Sequence, residues 1–109
     1  MSTMTLREVC EETRVSRRAI QGYELAGLVA ATARNDRGHL LYDEESRQRI
    51  QQIKLFQDLG FSVKEIAGII DAPKEELKAS LKVKIDNLQE KGERIELLMK
   101  QAKKLMEEL

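Results

Sequence analysis

Arg17 and Arg18 stand directly behind Ser16, with Gln21 one helical turn further on. Arg34, Arg37 and His39 gather around the turn-forming residues Asn35, Asp36 and Gly38. A guanidinium is a permanently charged fork that grips two phosphate oxygens or the acceptor edge of guanine at once. The chemistry open to this set is recognition of a polyanion rather than cleavage of a bond. Plain solvation also produces charged helix faces and charged loop tips, so the pattern gains meaning only from the elements that hold it.

Other chemistries find little support. The chain carries 19 Lys and Arg against 19 Asp and Glu, a net charge of zero. The charges are segregated, however. Residues 14–40 hold five arginines against Glu24 and Asp36, a balance of +3, whereas residues 43–72 hold four basic and six acidic groups, a balance of −2. One face can therefore meet phosphates although the total is neutral. Cys10 is the single cysteine; it makes an intramolecular disulfide impossible and reads as a small apolar residue on a helix face. His39 has no cysteine beside it and is no convincing metal ligand. Glycine-rich phosphate loops and catalytic triads are missing, so no enzyme, cofactor or metal is expected. No apolar run approaches the roughly 18 residues of a membrane span, and no signal-peptide core opens the chain. The expectation is a cytoplasmic protein without a membrane partner.

The elements that would carry the basic residues are short helices. Thr5 and Glu8 form a capping box ahead of Leu6, Val9 and Cys10, predicting a helix to about Thr13. Ser16 caps a second helix with Ala19, Ile20 and Tyr23 on one face and Arg17, Arg18 and Gln21 on the other, and Val15 plugs the crossing between the two. Two short helices joined by a tight turn, the second basic and exposed, make a helix-turn-helix, whose second helix enters the DNA major groove. Tyr23 reads as mixed, its ring packed under the following segment and its hydroxyl reaching a phosphate. Gly27 ends the helix, and residues 29–33 and 39–42 flank a turn as a short hairpin, or wing. Asp43 caps a third helix with Ile50, Ile53, Leu55 and Phe56 inward, ending at Leu59 and Gly60. A second capping box, Ser62 with Glu65, starts a fourth helix bearing Val63, Ile66, Ile69 and Ile70. Pro73 then suits the first turn of a fifth.

That fifth helix repeats apolar residues at spacings of four and three: Leu81, Ile85, Leu88, Gly92, Ile95, Met99, Ala102, Met106 and Leu109. A heptad seam of this kind faces a partner helix, and a rod of about 55 Å is too long for a compact core to cover. The seam predicts a second copy of the chain. Met99 and Met106 fall on it and read as packing rather than as a ligand surface. Gly92 either permits close approach of the partner or weakens the middle of the rod, at roughly 1 kcal/mol relative to alanine. Flanking charges leave parallel and antiparallel pairing open. The organisation expected is a DNA-binding head over residues 1–72 and a coiled-coil dimerisation helix over 73–109, mainly all-α apart from the wing.

Over residues 6–109 the chain resembles the MerR family of transcriptional regulators. Val15, Ser16, Ile20, Tyr23, Glu24, Gly27, Leu28, Arg34, Gly38 and Tyr42 sit where that family's pattern places them, as does the run Asp58, Leu59, Gly60, Phe61, Ser62 with Glu65 and Ile66 behind it. There are departures: Arg14 stands where members usually have glycine, Gln21 and Gly22 replace an Arg-Tyr pair, Gly38-His39-Leu40 replaces Gly-Tyr-Arg, and Ala31 replaces a frequent proline. The resemblance implies a winged helix-turn-helix head and an antiparallel coiled-coil homodimer. It also implies promoter DNA as ligand and a mechanism in which an overlong promoter spacer is bent and untwisted so that RNA polymerase engages both elements. On this reading Ser16, Arg17, Arg18, Gln21, Tyr23, Arg34, Arg37 and His39 meet the DNA. Two rivals stand beside it: a winged-helix module that binds protein instead of DNA, and an enzyme. Whether the chain is a complete small regulator or the DNA-binding part of a longer one is open.

Overall fold

The computed structural model describes residues 2–109. In chain order the elements are β1 (Met4–Thr5), α1 (Leu6–Thr13), α2 (Arg17–Leu25), β2 (Ala33–Arg34), β3 (Leu40–Tyr42), α3 (Glu44–Asp58), α4 (Val63–Ile69) and α5 (Lys74–Glu108). Contacts divide them into two compact units, one ending at Ala72 and one spanning Pro73–Leu109.

Each helix of the head begins where a side chain satisfies an orphan backbone N–H. Thr5 Oγ1 accepts from Glu8 N and Glu8 Oε1 accepts from Thr5 N, closing the first capping box. Ser16 accepts from Ala19 N, Asp43 from Ser46 N, and Ser62 from Glu65 N. Between α1 and α2, Arg14 adopts the left-handed conformation at φ 59°, which a residue with a Cβ enters at a cost of roughly 1–2 kcal/mol. Gly27 ends the α2 turn at φ 74°.

The wing is smaller than its flanks suggested, and it has a third strand. β3 lies in the middle of the sheet, antiparallel to β2 through Ala33↔Leu41 and Arg34↔Leu40, and antiparallel to β1 through Met4↔Tyr42 and Thr5↔Leu41. The residues just before α1 thus tie the start of the chain to the wing.

Val9, Val15, Ile20, Tyr23, Ile50 and Ile53 form the centre of the head, with Phe56 and Phe61 meeting edge to face at 5.8 Å beside them. Ile66 and Ile70 of the fourth helix region join this core, whereas Val63 and Ile69 are half-buried. Leu55 does not point inward: it is 54 % exposed. Ile50, Ile53 and Phe56 recur every three residues on one face, and Leu55 lies about 100° of helix turn away from Phe56. Cys10 is half-buried. Arg47, 7 % exposed, is a charged member of the core. Its Nη1 donates to the carbonyls of Ser2 and Tyr42, both at 3.0 Å, and its Nε lies 3.5 Å from Glu12.

In the second unit, Pro73 precedes the first turn of α5 instead of entering it. Its backbone is extended at ψ 144°, and its carbonyl accepts the first helical bond, from Leu77 N at 3.1 Å. The helix runs 35 residues, about 53 Å at 1.5 Å per residue. None of its residues is buried. Leu81 is half-buried, and Ile85, Leu88, Gly92, Ile95, Met99, Ala102, Met106 and Leu109 are all exposed. Leu98 and Leu105 widen the apolar face toward the C-terminus.

Candidate nucleic-acid interface

Helix α2 is fixed from behind. Ile20 is fully buried and Tyr23 is 1 % exposed, so the opposite face carries Ser16, Arg17, Arg18 and Gln21 into solvent. Neither Arg17 nor Arg18 has a hydrogen bond or ion pair from its side chain among the described residues. Two tyrosines lock the helix in place. Tyr23 Oη donates to Gln57 Oε1 of α3 at 2.6 Å, and Tyr42 Oη at the end of β3 donates to Glu24 Oε1. Burial pushes both phenols above their ordinary pKa, and for Tyr42 the bond to Glu24 adds to the shift. Both therefore stay protonated as donors, one setting α2 against α3 and the other setting it against the wing.

The Tyr23 ring is buried, and its hydroxyl proton, given to Gln57, ties α2 to α3; contact with a phosphate would need that bond exchanged.

The wing turn is held by its own backbone and by Asn35. Asn35 Oδ1 accepts from the N–H groups of Arg37 and His39, both at 3.0 Å, while Gly38 N donates to Asn35 O at 2.9 Å. Gly38 sits at φ 81°, a conformation that favours glycine. Arg34 turns back on the loop, its Nη1 donating to Gly38 O at 2.7 Å, so part of its fork closes the turn. Arg37 and His39 remain exposed at the tip. At the base, Thr32 Oγ1 accepts from Asp43 N at 3.1 Å, and Arg49 holds both the Leu28 carbonyl and, bidentately at 2.7 and 2.8 Å, Asp71. That pairing draws the Asp71 carboxyl below its ordinary pKa.

Between the start of α1, the start of α2 and the wing lies a cleft of about 650 Å³, lined by Arg7, Arg17, Gln21 and His39 among others, with no acidic side chain in its wall. The structure thus brings Arg17, Gln21 and His39 to one concavity, sets Arg18 on the same exposed helix face and Arg37 at the wing tip, and turns Tyr23 inward. Arg7, Glu24, Asn35, Arg47 and Gln57 were not singled out as site residues by their types and spacing. Only Asn35, within a turn cluster, carried a local signal. Among the described residues no group of three or more His, Cys, Asp or Glu side chains is placed to hold a metal ion, and no helix is long and apolar enough to cross a membrane.

Known proteins resemble the chain in sequence and in fold. Residues 4–73 match the model for MerR HTH family regulatory proteins, and residues 47–109 match the model described as MerR, DNA binding. The chain is 41% identical over 102 residues to nodulation protein NolA of Bradyrhizobium elkanii, covering 94% of this chain and 43% of NolA. It is 32% identical over 91 residues to the HTH-type transcriptional activator mta of Bacillus subtilis, covering 84% of this chain and 35% of that protein. It therefore spans less than half the length of these relatives. Among solved structures, the N-terminal part of the Bacillus subtilis multidrug transporter activator, MtaN, superposes with a TM-score of 0.70 at 28% identity, over 94% of this chain and 97% of that one. HiNmlR, a MerR family regulator lacking the sensor domain and crystallised on promoter DNA, shares the fold with a TM-score of 0.75 at 18% identity, over 90% and 79% of the two chains.

Proposed function

Because the chain belongs to the MerR family of helix-turn-helix regulatory proteins, we propose that it regulates transcription by binding promoter DNA as a homodimer. The observation that carries this reading is the two-sidedness of α2. Ile20 and Tyr23 anchor one face to the head, and the other presents Arg17, Arg18 and Gln21 to solvent. Such a helix fits the major groove, with the wing tip, Arg37 and His39, set against neighbouring backbone.

Residues 1–72 form the DNA-binding part and 73–109 the dimerisation helix. The exposed seam of α5, from Leu81 to Leu109, pairs antiparallel with its counterpart, and a two-fold dimer calls for a pseudo-palindromic site. Bending and untwisting the promoter spacer costs several kcal/mol, which contacts from two heads offset, and RNA polymerase then engages the realigned promoter. The place of action is the cytoplasm. No catalytic step belongs to this reading, and the DNA-binding family match favours it over a protein-interaction module.

The test is selection from a random duplex pool by the full chain at low salt. Enrichment of an inverted repeat, together with a dimer in sedimentation, is the expected result. A pool that shows no enrichment and no retardation of any duplex would overturn the proposal.

A further inference from the structure

Arg7 is the second residue of α1, on a different element from the helix face and wing tip on which the functional reading rests, yet its side chain lines the same cleft as Arg17 and His39. Three elements each contribute one basic side chain to that concavity: α1, α2 and the wing. No carboxylate lines it. Arg7 is not held there by the fold. Its side chain is 84% exposed, and the ion pair it forms among the described residues is with Glu11, one turn on, at 3.5 Å and 70% exposed. Exposed pairs of this kind are weak and easily exchanged.

A helix lying in the major groove has the phosphates of the groove walls on either side of it. The wing stands beside α2, joined to it through Tyr42 and Glu24, so one DNA strand must pass between helix and wing. We propose that Arg7, Arg17 and His39 form a seat for a backbone phosphate of that strand, and that Arg7 exchanges Glu11 for the phosphate when DNA binds. The occupant is the sugar–phosphate backbone of duplex DNA, because the seat offers two guanidinium charges and an imidazole hydrogen-bonding group from three elements and no base-sized polar pattern. The inference rests on the DNA-binding reading and extends it to α1.

The experiment measures binding of the full chain to a labelled mixed-sequence duplex of about 30 base pairs by fluorescence anisotropy across roughly 50 to 200 mM salt, where phosphate contacts dominate. Arg7→Ala should weaken binding roughly three- to tenfold on any sequence and flatten the slope of log K against log salt by about 1 per protomer. Arg7→Lys should keep the slope, and Glu11→Gln should tighten binding by freeing Arg7. A merely structural role for Arg7 would move the melting temperature and leave the salt slope alone. If Arg7→Ala and Glu11→Gln match the parent in affinity and slope while the parent binds DNA, the seat is wrong and the DNA-binding reading stands. If the parent binds no duplex at low salt, both fall.

Discussion

Replacing Arg17 and Arg18 together by alanine separates recognition from folding, because neither side chain is held by a hydrogen bond or ion pair among the described residues. Both are exposed on α2. The helix is anchored by Ile20, Tyr23 and the Ser16 cap, none of which changes, and alanine is the better helix former. Folding stability should therefore shift by no more than about 0.5 kcal/mol. Binding should not be spared. Arg17 lines the cleft and on the proposed reading meets phosphate there, whereas Arg18 lies outside that wall and on that reading faces base edges. At a minimum of about 1 kcal/mol per base-edge contact, the two Arg18 side chains of a dimer supply at least about 2 kcal/mol of preference, roughly thirtyfold, and loss of the two Arg17 side chains lowers affinity for every duplex in addition. Specific sites are typically preferred over non-specific DNA by about 4–10 kcal/mol, so the double variant should bind both duplexes more weakly and keep only part of its preference for the selected one.

The assay is anisotropy with the selected duplex and a scrambled one, at one fixed salt concentration, alongside circular dichroism and sedimentation. Arg18→Ala alone should shrink the preference for the selected site, and Arg17→Ala alone should weaken both duplexes alike. Lys78→Ala, on α5 and remote in sequence from the head, is the control. A double variant that binds its selected duplex within twofold of the parent, and still prefers it over the scrambled one, refutes the assignment of α2 as the reading helix.

The dimer seam has its own test: Leu88→Asp with Ile95→Asp places carboxylates in an apolar interface, so sedimentation should show a monomer at micromolar concentration, and a parent that is already monomeric there would sink the coiled-coil argument. Tyr23→Phe removes the donor to Gln57 and should cost about 1 kcal/mol of stability without altering the salt slope of DNA binding; a flattened slope would return this hydroxyl to the phosphate backbone. Glu8, Asp43 and Asp71 all have depressed pKa values, held down by the Thr5 N–H, the Ser46 N–H and the Arg49 fork respectively. Their stabilisation is complete above the ordinary carboxylate range and lost as pH falls through the lowered values, so melting temperature should hold above about pH 5 and drop below about pH 4. Asp71→Asn should make that drop shallower, and an unchanged acid limb would remove Asp71 from the account.

What was legible in the sequence was local. A cap is a side chain three residues from the N–H it satisfies, so Thr5, Ser16, Asp43 and Ser62 could be read directly and are found in place. The seam was legible because its period is a property of one helix. Convergence was not. Two residues, Met4 and Thr5, carry no strand periodicity, and their pairing with Leu41 and Tyr42 depends on a segment far along the chain. Arg47 sits in a helix rich in charge, and only the meeting of Ser2, Tyr42 and Glu12 around it makes it a core residue. Tyr23 showed an apolar ring and a polar tip, but nothing local announced Gln57 as the acceptor.

Arg34 and Arg37 mark that boundary within the wing itself. In sequence they are alike, two arginines flanking Asn35 and Asp36, and spacing gives no reason to separate them. The turn does. Gly38 in its left-handed conformation presents its carbonyl to Arg34, which closes the loop with part of its fork. Asn35 takes the main-chain N–H of Arg37, so the backbone of that residue is held while its side chain stays exposed. One arginine therefore stiffens the wing and the other is carried by it. On the DNA-binding reading, loss of Arg34 should weaken binding mainly by loosening the tip that presents Arg37 and His39, whereas loss of Arg37 should remove a charge and leave the turn standing.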